Sequence, residues 1–119
     1  MSRQPNRLSS SSSESRALTN IRYVYTLKVV ITWDEAKRRA NLRKHGLDFV
    51  DAEEVFGGVT YTYEDDRLAY DEQRFVTLGL LRELLVSIVH SEEGDRIHVI
   101  SMRKGTTRER KIYFESIAN

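Results

Sequence analysis

At 119 residues, with no cysteine and a formal net charge of +1, the chain has room for one domain around a single hydrophobic core. Hydrophobic residues make up 39% of it and charged residues 31%, a composition typical of globular proteins. The absence of cysteine excludes disulfides, a thiolate nucleophile and a cysteine zinc site. No apolar run approaches the roughly 20 residues of a transmembrane helix, so we expect a soluble protein without membrane contact. A reducing cytoplasm fits the absence of cysteine, and the N-terminus lacks the apolar core of a signal peptide.

The first 26 residues differ in composition from the rest. They contain Pro5, a serine run over residues 9–13, and four arginines against one glutamate. They show no sustained hydrophobic periodicity, which is typical of chain that does not pack into a core. We predict that residues 1–26 are a flexible leader and that residues 27–119 form a single domain.

The next segment has the signals of a strand followed by two helices. Residues 28–33 are β-branched and aromatic, as in a strand, and Asp34 then offers an N-cap for a helix. This helix should run to His45, because Gly46 supplies the left-handed position that commonly ends helices. A second, short helix is predicted after Asp48, where apolar residues recur at three- and four-residue spacing until a glycine pair.

After that glycine pair the hydrophobic period changes from helical to alternating. Four successive strands are predicted, and their short links indicate an antiparallel meander. A C-terminal helix follows, because Thr106 and Glu109 match a capping box. The predicted fold class is α+β: a mostly antiparallel sheet of about five strands, with two N-terminal helices and one C-terminal helix packed on it. The four strands are predicted at residues 59–63, 74–80, 83–90 and 95–102, and the last helix at 106–117.

Basic residues cluster at residues 37–44 and 103–111. Such patches indicate an anionic partner, because a phosphate interacts mainly with the charges within a Debye length of roughly 8–10 Å and is little affected by the net charge of the chain. The alternative is that these charge runs are the solvated faces of short helices. His45 follows Lys44 at the end of the first predicted helix. A histidine there is suited to proton transfer near neutral pH, or is simply part of a solvated helix.

The last predicted strand should present alternate residues to opposite faces of the sheet. In the helix after it, Arg108 and Arg110 can join Arg103 at a phosphate as charge-assisted donors. Arg74 follows Glu72, and its simplest interpretation is a surface ion pair. The two predicted faces of the last strand are Ile97, Val99, Ser101 and Arg103 against His98, Ile100 and Met102.

No motif indicates a metal or a cofactor. The three histidines, His45, His90 and His98, lack the spacing of a ligand cluster, and neither a phosphate-binding glycine loop nor a nucleophile elbow is present. The residues fit RNA cleavage without metal, in which the ribose 2′-hydroxyl attacks its own phosphate and the protein supplies a base, an acid and positive charge. They fit nucleic-acid binding without cleavage equally well.

Two blocks of the sequence resemble the BrnT toxin family. One begins at Trp33 and reads WDEAKRRANLRKHGLDFVDAEEVF, and the other reads RIHVISMRKGTTRERKIYFE. Arg74 and Gly79, between the blocks, also fit, so the resemblance covers roughly residues 28–117. The matching positions are Trp33, Asp34, Lys37, Asn41, Lys44, His45, Gly46, Phe49 and Ala52 in the first block, and Ile100, Ser101, Arg103, Glu109, Arg110 and Tyr113 in the second.

The resemblance implies a compact RelE-like ribonuclease fold and inhibition of translation through RNA cleavage. It also implies neutralisation by a BrnA-type antitoxin with a ribbon-helix-helix DNA-binding domain. In that family the toxin and antitoxin form a hetero-oligomer that represses its own operon, so this chain would contact operator DNA only through its partner. The alternative function is a noncatalytic module that binds the antitoxin and acts in operon control, and a third is a general RNA-binding domain.

The predicted site combines residues implied by the resemblance with others from the second basic patch. It contains no metal ligand, and no residue in it is assigned as base or acid. The predicted catalytic residues are His45, Arg74, Arg103 and Arg110. The predicted RNA-binding residues are Lys44, Lys104, Arg108 and Tyr113.

Overall fold

The computed structural model describes residues 21–25, 29–66 and 72–118. Within these residues, six strands form one sheet in the order β1-β2-β6-β5-β4-β3. The strands are β1 Ile21–Tyr25, β2 Val30–Asp34, β3 Thr60–Glu64, β4 Phe75–Leu81, β5 Leu84–Glu93 and β6 Arg96–Lys104. The helices are α1 Glu35–His45, α2 Ala52–Phe56 and α3 Thr107–Ala118, with a 3-10 turn at Phe49–Asp51 before α2.

The sheet is mixed. Strands β3 to β6 form the antiparallel meander that the sequence predicts, and the α+β class is confirmed. The prediction of a mostly antiparallel sheet is wrong, because β2 runs parallel to β6 in the middle of the sheet. Turn signals predict pairing between consecutive strands only, so they give no information on the pairing of β2 with β6. Strand β1 lies within the predicted leader, whose residues 1–20 and 26 are outside the described residues.

Helix α1 has the boundaries that the sequence predicts, because both of its ends are capped as expected. The Asp34 carboxylate accepts hydrogen bonds from the backbone N–H groups of Ala36 and Lys37, at 2.9 and 3.3 Å. Gly46 ends the helix with a φ of 74°, in the left-handed region.

The placement of α1 differs from the prediction that it packs on the sheet, because it lies along the edge of a strand. Asn41 is its buried residue. Its Nδ2 donates to the carbonyl oxygen of Met102 at 2.8 Å, and its Oδ1 accepts from the Met102 N–H at 3.2 Å. The last β2–β6 pair is Trp33 with Val99, so the Asn41 amide takes the place of a strand along the edge of β6. Helix α1 therefore lies beside the second half of that strand.

The other two helices begin later than predicted. Asp48 accepts from the Val50 N–H at 3.1 Å, but the segment after it first forms a 3-10 turn, and α2 begins at Ala52. Helix α3 begins at Thr107, because Thr106 acts as its cap. Helix ends often take 3-10 geometry, which an apolar spacing of three and four residues does not distinguish from an α-helix.

Apolar side chains are buried on both faces of the sheet. On the face that we call the α2 face, Phe49, Ala52 and Val55 pack with strand residues that include Ile88 and Val99. On the other, the α3 face, Tyr113 packs with Val76, Leu78 and Leu85. Each helix covers part of a face, and the positions of the remaining side chains follow from the strand register.

A β-bulge in β6 changes which of its residues share a face. Val99 and Ser101 pair with adjacent residues of β5, so Ile100 between them is an extra residue in the strand. Ser101 and Arg103 consequently lie on the same face as His98, the α3 face. The predicted alternation is wrong here because one inserted residue shifts the two-residue period by one.

We expect Asn41→Ala to lower the free energy of unfolding by about 2–4 kcal/mol, because it leaves a buried backbone N–H and C=O of Met102 without their partner. Urea unfolding followed by circular dichroism would measure this. Arg39→Ala, an exposed position on the same helix, should change the value by less than about 0.5 kcal/mol. Similar effects of the two substitutions would contradict the role of Asn41 as an edge partner of β6.

Candidate nucleic-acid interface

Arg103 lies near the end of β6, and the first turn of α3 holds its side chain. Its Nη1 and Nη2 donate to the two carboxylate oxygens of Glu109, each at 2.9 Å. Because 36% of the Arg103 side chain is exposed, against 12% for Glu109, a phosphate can approach the guanidinium while the carboxylate lies behind it. The bidentate pair fixes the plane of the guanidinium.

Glu109 has a second role at the start of α3. Its Oε1 accepts from the Thr106 N–H at 2.9 Å, and Thr106 Oγ1 accepts from the Glu109 N–H at 3.0 Å, so the predicted capping box is confirmed. Burial opposes ionisation of Glu109, but the hydrogen bonds from Arg103 and Thr106 outweigh it and hold its pKa below the usual value. One ionised carboxylate thus caps the helix and orients the arginine.

Arg74 lies just before β4, and one more backbone hydrogen bond extends the pairing of β3 with β4 to this position. Its carbonyl oxygen accepts from the Asp65 N–H at 2.8 Å. Its Nε lies 3.6 Å from a carboxylate oxygen of Glu72, which is the ion pair that the sequence suggests. The Arg74 side chain is 26% exposed. A guanidinium with this exposure can still reach an anion on the surface.

The strand register places Arg74 in a row of polar residues across the α3 face. Arg74 stands one position beyond the last β4–β5 pair and therefore opposite Ser91, which pairs with His98. His98 in turn pairs with Thr32 of β2, and His98 Nδ1 lies 2.7 Å from Thr32 Oγ1. Two strand spacings separate the Cα atoms of Arg74 and His98 by about 10 Å. We call Arg74, Ser91, His98 and Thr32 the polar row.

The sequence pattern did not place His98 on the same face as the arginines. Alternation placed it on the face opposite Arg103, and the bulge at Ile100 removes that separation. Its neighbours Thr32 and Ser91 belong to other strands, so no local pattern in the sequence brings them together. Knowledge of the strand pairing would have been needed to find this group.

The predicted residues of α1 lie near the other end of the sheet. Lys44 and His45 are exposed in the last turn of α1. The bonds between Asn41 and Met102 hold that turn beside the end of β6, where Lys104 is also exposed. The structure therefore brings the Lys44, His45 and Lys104 side chains to the end of the sheet from which Arg103 also extends.

The predicted residues of α3 differ in exposure. Arg108 and Arg110 are exposed, and the Arg110 guanidinium carbon lies 5.5 Å from the centroid of the Phe114 ring, within reach of a cation–π interaction. Tyr113 is buried, and its hydroxyl donates to the carbonyl oxygen of Val59 at 2.8 Å. Tyr113 therefore connects α3 to the start of β3.

Two kinds of feature are absent from the described residues. No group of three or more histidine, aspartate or glutamate side chains in the described part of the chain is arranged to hold a metal ion. None of the helices described is both long and apolar enough to cross a lipid bilayer.

Together these features define a small α+β protein with cationic side chains gathered at a mixed sheet. The family model for the ribonuclease toxin BrnT of type II toxin–antitoxin systems matches residues 33–109, which is more than half of the chain. The protein belongs to this family, and the resemblance seen in its sequence is confirmed. Membership places it among ribonuclease toxins that have an antitoxin partner. No curated protein matches the chain.

We expect Glu109→Gln to lower the free energy of unfolding by about 1–2 kcal/mol at pH 7, because the ion pair with Arg103 is lost and the capping box is weakened. The folded-state pKa of Glu109 is depressed, so its contribution is present above the usual value of 4.5 and is lost as the pH falls through the folded-state pKa. The difference between parent and variant should therefore shrink toward pH 3.

Urea unfolding at several pH values between 3 and 7 would measure this difference. Glu115→Gln is the matched control, because Glu115 pairs with Lys111 on the same helix but is 65% exposed. That variant should stay within about 0.5 kcal/mol of the parent. A loss for Glu109→Gln that does not change with pH would show that the charge of Glu109 is not what stabilises the protein.

Proposed function

We propose that this protein is an endoribonuclease toxin that cleaves RNA without a metal ion and thereby inhibits translation. The observation that carries the proposal is that Arg74 and Arg103, from distant segments of the chain, both lie on the α3 face. Membership of a ribonuclease toxin family supports it independently. Two partly exposed guanidinium groups on one face suit a single-stranded polyanion that runs across the sheet.

The chemistry needs few protein groups, because RNA carries its own nucleophile. The ribose 2′-hydroxyl attacks the adjacent phosphate, and cationic donors stabilise the charge that accumulates on the phosphoryl oxygens. Arg103 is suited to hold a phosphate of the same RNA strand because Glu109 holds its guanidinium in place before substrate binds. DNA has no 2′-hydroxyl and cannot react in this way.

The remaining predicted residues extend the surface for RNA. Exposed cations at the ends of α1 and β6 and on α3 can contact phosphates on either side of the cleavage point. His45 and Arg110 keep their predicted catalytic roles in this proposal, and Tyr113 supports the surface from beneath. The residues proposed for RNA contact are Lys44, Lys104 and Arg108; the predicted RNA contact of Tyr113 is not retained, because its ring is buried and its hydroxyl is hydrogen-bonded to Val59.

We further propose that the antitoxin partner is of the BrnA type, with a ribbon-helix-helix domain. In the complex it would cover the basic surface, and the chain would reach operator DNA only through it. A RelE-like fold for the toxin and action on cytoplasmic RNA belong to the same proposal. The type II toxin–antitoxin family supports the existence of such a partner.

We expect the purified protein to cut labelled RNA in the presence of EDTA and to leave 2′,3′-cyclic phosphate ends. Arg103→Gln should lower kcat/KM by about 10- to 100-fold, because one charge-assisted contact to the reacting strand is lost. A DNA copy of the same strand should remain intact. Gel analysis of the products measures all three.

Arg82→Gln is the charge-matched control. Its side chain is 67% exposed at the β4–β5 turn and pairs with Asp51 and Glu54, so its cleavage rate should equal that of the parent. If RNA stays intact with the parent protein, both alone and with ribosomes, while the antitoxin still binds, the protein is a noncatalytic module of operon control.

In bacteria, expression of the chain without its antitoxin should stop growth, because continued RNA cleavage depletes translatable message. Co-expression of a ribbon-helix-helix protein from the same operon should restore growth, and Arg103→Gln should be tolerated without it. Colony counts and incorporation of labelled amino acids measure the effect. Normal growth with the parent protein, at a level detectable by immunoblot, would argue against a toxin.

A further inference from the structure

The polar row contains an imidazole that none of the predicted roles uses. His98 lies on the same face as Arg103 and about 10 Å from Arg74 across the sheet. Its ring is partly exposed, whereas the ring of His90 is fully buried. We propose that His98 is the general base of the ribonuclease reaction and that Arg74, across Ser91 from it, binds the reacting phosphate. This inference rests on the proposed function.

Thr32 is placed to set the orientation of the His98 ring. Thr32 is 4% exposed and lies on the neighbouring parallel strand, so its hydroxyl is a fixed partner for Nδ1 at 2.7 Å. When Nδ1–H donates to this hydroxyl, Nε2 keeps its lone pair and can accept a proton. The hydroxyl can also donate to Nδ1, so the pairing is compatible with the tautomer that a general base needs and fixes the plane of the ring.

Among the described residues, the helices make their main contacts elsewhere on the sheet, so a long substrate can approach the row. Helix α3 packs against β3 and β4, and α1 lies along the edge of β6. The row crosses from the start of β4 through β5 and β6 to β2, with Arg74, Ser91 and His98 all partly exposed. An RNA strand lying along β6 would pass His98 first and then reach Arg103 at the end of the strand.

Burial favours the neutral form of His98. It lowers the His98 pKa below the usual 6.5; the carboxylates of Glu72 and Asp34 oppose this, and Lys37 and Arg96 act with burial to a smaller extent. At neutral pH the imidazole is therefore mostly uncharged, which is the state in which it can take a proton. Activity that depends on this base should rise with pH through the lowered pKa and then level off.

The reaction can be written with these groups alone. His98 Nε2 takes the proton of the 2′-hydroxyl as its oxygen forms a bond to phosphorus. The bond between phosphorus and the 5′-oxygen then breaks, and that oxygen takes a proton from water. The products are a 2′,3′-cyclic phosphate and a 5′-hydroxyl, and His98 returns its proton to solvent. Arg74 neutralises charge on the phosphoryl oxygens throughout.

His98→Asn tests the assignment directly, because the Asn Nδ2 can replace Nδ1 in the bond to Thr32 while the atom corresponding to Nε2 is removed. Under single-turnover conditions we expect cleavage to slow by about 100-fold or more and to lose its rise with pH. Affinity for 2′-O-methylated RNA, which cannot be cut, should change by less than about threefold. Arg82→Gln should match the parent in both measurements.

Two further measurements separate catalysis from a structural role. The imidazole titration of His98 in the parent protein, followed by NMR, should give the same pKa as the rise in cleavage rate, and this holds even if the variant folds poorly. Thr32→Val should shift that pKa and the pH profile together while leaving activity measurable. A purely structural histidine would show neither correlation.

Three results would overturn the assignment, and they are distinguishable. If the parent cuts RNA and His98→Asn cuts it equally fast with the same pH profile, His98 is not the base, although the ribonuclease proposal stands. If the pH profile follows the titration of His45 and is lost in His45→Gln, the base lies at the end of α1. If the parent does not cut RNA at all, the proposed function fails together with this inference.

Discussion

The parallel pairing of β2 with β6 is the constraint on which the rest of the arrangement depends. It places β2 inside the sheet, between β1 and the last strand, β6. Because β2 ends at Asp34 while β6 continues to Lys104, the second half of β6 has an open edge. The side chain of Asn41 occupies that edge at Met102. Without it, two backbone groups would be buried without partners, which is costly in a protein of this size.

The bulge at Ile100 has an equally large effect on the α3 face. A regular strand would present His98 and Arg103 to opposite sides of the sheet, and a single extra residue brings them to the same side. The apolar order is preserved, because Val99 and Met102 both remain buried. Bulges often reorient a side chain near a functional site at little cost to the core, and this one joins an imidazole and a guanidinium along one surface.

Glu109 illustrates how one side chain can link folding to a site. The carboxylate accepts hydrogen bonds from the Thr106 N–H of the capping box and from both terminal nitrogens of Arg103. The start of α3 and the end of β6 are therefore oriented by the same charge. A guanidinium that is already positioned loses less entropy when a phosphate binds, which is the advantage of a preorganised cation. Arg110, beside Glu109 in the helix, lies over Phe114 instead.

Local signals in the sequence determined much of the secondary structure of this protein. Asp34 and Gly46 define both ends of α1, the alternating segments define the meander, and Thr106 with Glu109 defines the start of α3, because caps and turns depend on residues close together in the chain. The two blocks that resemble BrnT toxins likewise indicated the family and Arg103, and Arg74 fits the same resemblance between the blocks. Tertiary structure alone decided the parallel pairing, the position of α1 along β6, and the face on which Arg103 lies. It also assembled the polar row from four separate segments of the chain, because strand register between distant segments depends on packing of the whole domain and leaves no local pattern.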